Sequence, residues 1–80
     1  MIAPLPVTLD DLKVSQRARV RRLEGSPAVR QRLGEMGLTS GSEVRVVRVA
    51  PLGDPLQIAV RNYHLSLRRS ETRCIIIDHE

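Results

Sequence analysis

The sequence predicts a mainly β domain: five short strands bent into a small barrel, with a short N-terminal helix and a helix inserted between strands 1 and 2. Three observations predict it. Runs of Leu, Ile and Val with period-two alternation follow one another at close spacing from Arg17 to Ile77. A flat sheet of such strands would expose edges that a closed barrel removes. The stretch from Ser26 to Val49 also carries local signals for helix, stop, turn and strand, each consistent with the next.

That stretch organises the rest. Val29, Leu33 and Met36 fall at i, i+4 and i+7, one apolar stripe on a helix. Ser26 is placed to cap it and Pro27 to open it at N1. Gly34 inside the helix costs about 1 kcal/mol against Ala. Gly37 can take the left-handed backbone that ends a helix, which makes Leu33 the C3 and Leu38 the C″ residue of a Schellman stop. Thr39-Ser40-Gly41 reverses the chain, and from Glu43 to Ala50 Val alternates with charge and then runs on, as strands do.

The other elements follow in order. Residues 1–6 hold two prolines and read as an unstructured lead-in. Thr8 can cap a helix of one or two turns with Asp10 and Asp11 in its first turn, where the helix dipole favours acids. Val7 and Leu12 have hydrophobic-staple spacing. Strand 1, Arg17 to Glu24, turns Ala18 and Val20 inward and Arg17, Arg19 and Arg21 outward. Leu23 shares the outward parity, and a bulge would reconcile it with the core. Pro51 to Pro55 is a stiff loop. Leu56, Ile58 and Val60 form strand 3, Arg61 to His64 read as a hairpin turn with Asn62 suited to its left-handed position, and Leu65 and Leu67 form strand 4. Arg69 to Thr72 fits a single 3₁₀ turn, and Arg73 to Ile77 reads as strand 5, with Cys74 inside it. A single turn before the last strand favours an SH3-like barrel over an OB-fold.

Eighty residues make one domain. With one Tyr, no Phe and no Trp, the core must be aliphatic, with little room for an enclosed active-site cavity. One cysteine cannot close an internal disulfide, and no apolar run approaches the roughly 20 residues needed to cross a bilayer. The start lacks the basic n-region of a signal peptide, so a cytoplasmic protein is expected. The net charge of +4, with arginine as nearly all of the basic residues, favours acidic partners or an evenly basic surface. Nucleic acid is not expected, because single-strand binders stack bases on aromatic rings and Tyr63 stands alone.

Several segments together resemble the FeoA family of the bacterial ferrous iron uptake system. They are the Leu9/Leu12 pair, Arg32 to Leu38 with Gly41, Ala50 to Pro55, and Leu65 to Arg69 followed by Glu71. Val14-Ser15 stands where the family often has Pro-Gly, and Asn62-Tyr63 where it often has Gly. The resemblance implies an SH3-like fold, no enzymatic activity, no required cofactor, and a partner: the membrane GTP-binding iron permease of the same system. The same module is similar to the C-terminal domain of metal-dependent repressors, and a regulatory domain of that type is the alternative.

No P-loop, GxSxG or other catalytic constellation is present. A partner surface is expected on Arg30, Gln31 and Glu35, which lie off the apolar stripe of the inserted helix, together with Leu52 at a loop tip that no strand pattern buries. Imidazole and carboxylate donors suited to zinc or iron come from His64 and the terminal Asp78-His79-Glu80. The opposing expectation is a hairpin-end histidine and a frayed tail. Arg68 and Arg69, next to Glu71, would tie the last hairpin together. Pairing with a second copy, with or without a bridging metal, is left open by the sequence.

Overall fold

The computed structural model describes residues 7–79, and the expected lead-in, residues 1–6, lies outside that range. Strands β1 (Arg17–Leu23), β2 (Glu43–Val49), β3 (Leu56–Val60), β4 (Tyr63–Leu67) and β5 (Ile75–His79) form one antiparallel sheet. Its order is β4-β3-β2-β1-β5. Helix α1 (Pro27–Glu35) joins β1 to β2, and a single helical turn, α2 (Arg69–Thr72), joins β4 to β5.

The sheet is barrel-like without a closing ladder. The edge strands β4 and β5 do not pair among the described residues. Leu67 of β4 and Ile75 and Ile77 of β5 nevertheless share one aliphatic core with Val20, Val44, Val46, Ile58 and Val60. Both edges therefore fold round the same centre. The outer side of β5 is covered by the N-terminal segment: Thr8 bridges to Ile76, and the Ile77 N–H donates to the Val7 carbonyl at 2.9 Å. Leu9 and Leu12 fill that end of the core.

The helix stop forms as the sequence requires. The Ser26 hydroxyl accepts from the Val29 N–H at 3.2 Å. At the other end, the Leu38 N–H donates to the Leu33 carbonyl at 3.2 Å and the Gly37 N–H to the Gly34 carbonyl at 3.0 Å, the pair of bonds of a Schellman motif. Gly37 has φ +92°. Leu33 and Leu38, the two residues the motif brings together, are both fully buried. The bulge expected near Leu23 is also present: the β1–β5 register shifts between Val20 and Arg22, which returns Leu23 to the core side.

The expected short N-terminal helix is a single 3₁₀ turn, Leu9–Asp11, capped by the Asp11 carboxylate, which accepts the Thr8 N–H at 3.0 Å. Four expectations are corrected. The turn before β5 is α-helical, with the Thr72 N–H reaching the Arg68 carbonyl at 3.0 Å. That turn runs on through Arg73, so β5 begins at Ile75 and Cys74 precedes the strand, its thiol directed at the Ser70 carbonyl. Strand β4 begins at Tyr63, which pairs with Val60, so the turn is Arg61-Asn62 alone. In that turn Arg61, at φ +54°, takes the positive-φ position foreseen for Asn62. Ser15 likewise has a positive φ, +76°.

Candidate functional site

The Pro51–Pro55 loop between β2 and β3 is built by its own backbone. The Gly53 N–H donates to the Ala50 carbonyl at 2.7 Å, and the Ala50 N–H to the Pro55 carbonyl at 3.1 Å. Gly53 sits at φ +87°, which a residue with a Cβ rarely adopts. This shape turns Leu52 outward, 97% exposed. A shallow groove beside it is bordered by Leu52, Asp54, Pro55, Ser66 and Arg68.

Arg69 holds the loop in place. Its Nε donates to the Gly53 carbonyl at 2.5 Å, and its backbone N–H to Asp54 Oδ1 at 3.3 Å. Its guanidinium also donates to both the carbonyl and the carboxylate of Asp10, each at 3.0 Å. The Thr72 hydroxyl adds a bond to the same carboxylate at 3.0 Å. One side chain thus joins α2, the Leu52 loop and the N-terminal turn. Arg69 and Asp10 are only 27% and 24% exposed, so these bonds are partly shielded from water. An apolar tip held by this arrangement has little conformational freedom left to lose.

Helix α1 presents the other expected residues. Arg30, Gln31 and Glu35 are exposed, while Leu33 is buried and Val29 and Met36 pack on the core. Arg32 is ion-paired to Glu71 of α2. The other oxygen of Glu71 accepts the Arg68 N–H at 3.0 Å. The helix end is fastened by the Tyr63 hydroxyl, which donates to the Met36 carbonyl. Helix α2 is therefore bonded to both candidate docking elements: to α1 through Glu71, and to the Leu52 loop through Arg69. The sequence contains these residues but not this assignment. Arg69 and Asp10 are 59 residues apart, and no local pattern links them.

Two of the four expected metal donors are described. His64 lies on β4 and Asp78 on β5, the two edges of the sheet. His64 is in register with Ala59, and Asp78 with Arg19. Glu80 and the side chain of His79 lie outside the described residues. Among the described residues no group of three or more His, Cys, Asp or Glu side chains is placed to hold a metal ion. Nor is any described helix long and apolar enough to cross a membrane.

Comparison with known proteins places this geometry. The FeoA domain family matches residues 7–79. A Porphyromonas gingivalis protein described as a fusion of Fe(2+) transport protein A and Fe(2+) transporter FeoB is 36% identical over 70 residues. The match takes in 88% of this chain but only 8% of that much longer protein. The solution structure of FeoA from Chlorobium tepidum is 38% identical, with a TM-score of 0.85, covering 91% of this chain and 70% of its own. The crystal structure of Stenotrophomonas maltophilia FeoA, complexed with zinc, is 33% identical with a TM-score of 0.79, covering 90% of this chain and 89% of its own. That protein is described as a procaryotic SH3 domain protein and has been suggested as an activating factor of ferrous iron transport. A family match running from Val7 to His79, over a five-stranded SH3-like sheet with a capped helix between its first two strands, shows that this chain belongs to the FeoA family.

Proposed function

We propose that this domain is a non-enzymatic accessory of ferrous iron uptake that docks on the cytosolic part of a FeoB-type membrane transporter. The observation that carries the reading is the natural fusion of a 36% identical domain to such a transporter in one polypeptide. Domains joined covalently in one organism meet at high effective concentration, and a separate chain must recover that proximity through an interface. The exposed Leu52 tip, fixed by Arg69, and the free polar face of α1 at Arg30, Gln31 and Glu35 supply an apolar anchor and a polar rim. The reading requires no cofactor in this domain.

The test is co-purification of the intact chain with the cytosolic domain of the transporter from the same cell. Retention that survives washing, and falls in Leu52→Asp, is expected. Absence of retention with both proteins folded would overturn the reading.

A further inference from the structure

The outer face of the sheet carries a second surface, which meets the Leu52 groove at Ser66 and extends away from it across β3 and β2 to β1. It depends on a bulge. Arg45 and Arg48 are three residues apart in β2, so an unbroken strand would point them to opposite faces. The β2–β3 register shifts between Val46 and Arg48: Arg45 lies opposite Ala59 and Arg48 opposite Gln57. Ala59 and Gln57 both turn outward, since Leu56, Ile58 and Val60 around them are buried. The extra residue, Val47, thus brings Arg48 onto the face of Arg45.

Cross-strand rows follow from the register. One runs Arg17, Arg45, Ala59, His64 across β1 to β4, and its neighbour runs Arg48, Gln57, Ser66. Arg61, in the β3–β4 turn, borders with Arg17, Arg45 and Glu43 a shallow depression over Ala59. Arg45, Arg48 and Arg61 are exposed and form no ion pair among the described residues, and Arg17 meets Glu43 only at 4.0 Å. Arg17 and Arg45 stand directly opposite each other, a like-charge pair that weakens a sheet. Glu43 on the same face offsets the charge of Arg17, which leaves Arg45, Arg48 and Arg61 for an external anion.

We propose that this arginine face rests on an anionic lipid bilayer, its guanidinium groups pairing with headgroup phosphates. The face is open and spans three strand spacings, roughly 14 Å, which suits several separate phosphates better than one small anion. It offers no tyrosine platform for nucleobases, since the single Tyr stands opposite buried Val60, on the other face of the sheet from Ala59. Helix α1 packs on the core side of the sheet through Leu33, so the domain can lie on lipid while the helix engages a protein. The presence of a bilayer nearby rests on the transporter reading above; the charge geometry does not.

Co-sedimentation of the intact chain with vesicles tests the proposal. Vesicles containing phosphatidylglycerol should retain it, pure phosphatidylcholine vesicles should not, and sodium chloride should release it. Each arginine near an anionic surface strengthens binding about five-fold, so Arg45→Gln/Arg48→Gln should weaken partition roughly 25-fold. Arg30→Gln, which removes one charge from α1, should change it less than two-fold, against about five-fold for Arg45→Gln alone. Thermal melts establish that each variant is folded. Equal retention on both vesicle types, no retention at low salt, or equal losses in Arg30→Gln and Arg45→Gln would overturn the proposal. So would displacement by inorganic phosphate beyond that by chloride at equal ionic strength, which would mark a discrete anion site. Retention of the transporter's cytosolic domain by Arg45→Gln/Arg48→Gln, measured without vesicles, reports on docking alone, so either reading can fail while the other stands.

Discussion

Arg69 donates from Nε to the carbonyl of Gly53, tying the single turn before β5 to the loop that exposes Leu52. The same guanidinium holds Asp10, so its loss would leave a carboxylate three-quarters buried with only the Thr72 hydroxyl and a distant Arg73 nearby. Arg69→Ala should lower stability by about 2–3 kcal/mol, read as a shift in the denaturation midpoint. Arg69→Lys should recover only part of this, because an ammonium cannot reproduce a planar fork that serves Gly53 and Asp10 together. Full recovery in Arg69→Lys would show that charge alone matters there.

Gly37 is constrained twice. Its φ of +92° disfavours any side chain, and a Cβ there would run into the Tyr63 hydroxyl. Gly37→Ala should therefore destabilise by more than the roughly 1–2 kcal/mol of left-handed strain alone. In a Tyr63→Ala background the collision is gone and only the backbone strain remains. A double-mutant cycle should then show a coupling of about 1 kcal/mol or more, and strictly additive effects would place the ring elsewhere.

Ser15 has φ +76°, a left-handed position that favours glycine, and its N–H is bonded to the Val46 carbonyl at 2.8 Å. Ser15→Gly should relieve that strain, partly offset by a more flexible unfolded chain, for a net gain of about 0.5–1 kcal/mol. Chemical denaturation decides it. A loss of stability would mean that the serine backbone is not strained in solution.

Features that depend on near neighbours were legible in the sequence. The Ser26 cap, the Gly37 stop and the burial of Leu33 against Leu38 each follow from residues within a few positions of one another. Leu23 was legible through its broken parity, which called for a bulge in β1. The second bulge, at Val47, was hidden because a Val-Val pair satisfies the strand pattern in either register, and only the pairing with Gln57 reveals where Arg48 points. The start of β5 was misplaced because Cys74 is apolar and β-compatible, yet its N–H is taken by the Glu71 carbonyl at 3.0 Å in the preceding turn. Thr72 lies in a polar turn with no local pattern that calls for burial. It is fully buried because Asp10, 62 residues away, accepts its hydroxyl. The exposure of the proposed docking residues is legible in the sequence, whereas the clamp that fixes the Leu52 loop is not, since its bonds join segments distant in the chain.

Leu52 and Leu33 separate docking from folding. Leu52 is 97% exposed, so Leu52→Asp removes almost no buried area and should shift the melting temperature little. The same change puts a charge where an apolar contact is proposed, and retention of the transporter's cytosolic domain should fall at least ten-fold, the scale of a lost anchor residue. Leu33 is fully buried between α1 and the sheet, and Leu33→Ala should cost roughly 2–5 kcal/mol through lost contacts and a cavity. If Leu33→Ala weakens retention only in proportion to the fraction unfolded, while folded Leu52→Asp loses it outright, binding resides in the loop tip. If Leu52→Asp instead melts early, the leucine supports the fold, and the docking anchor must be sought on α1 alone.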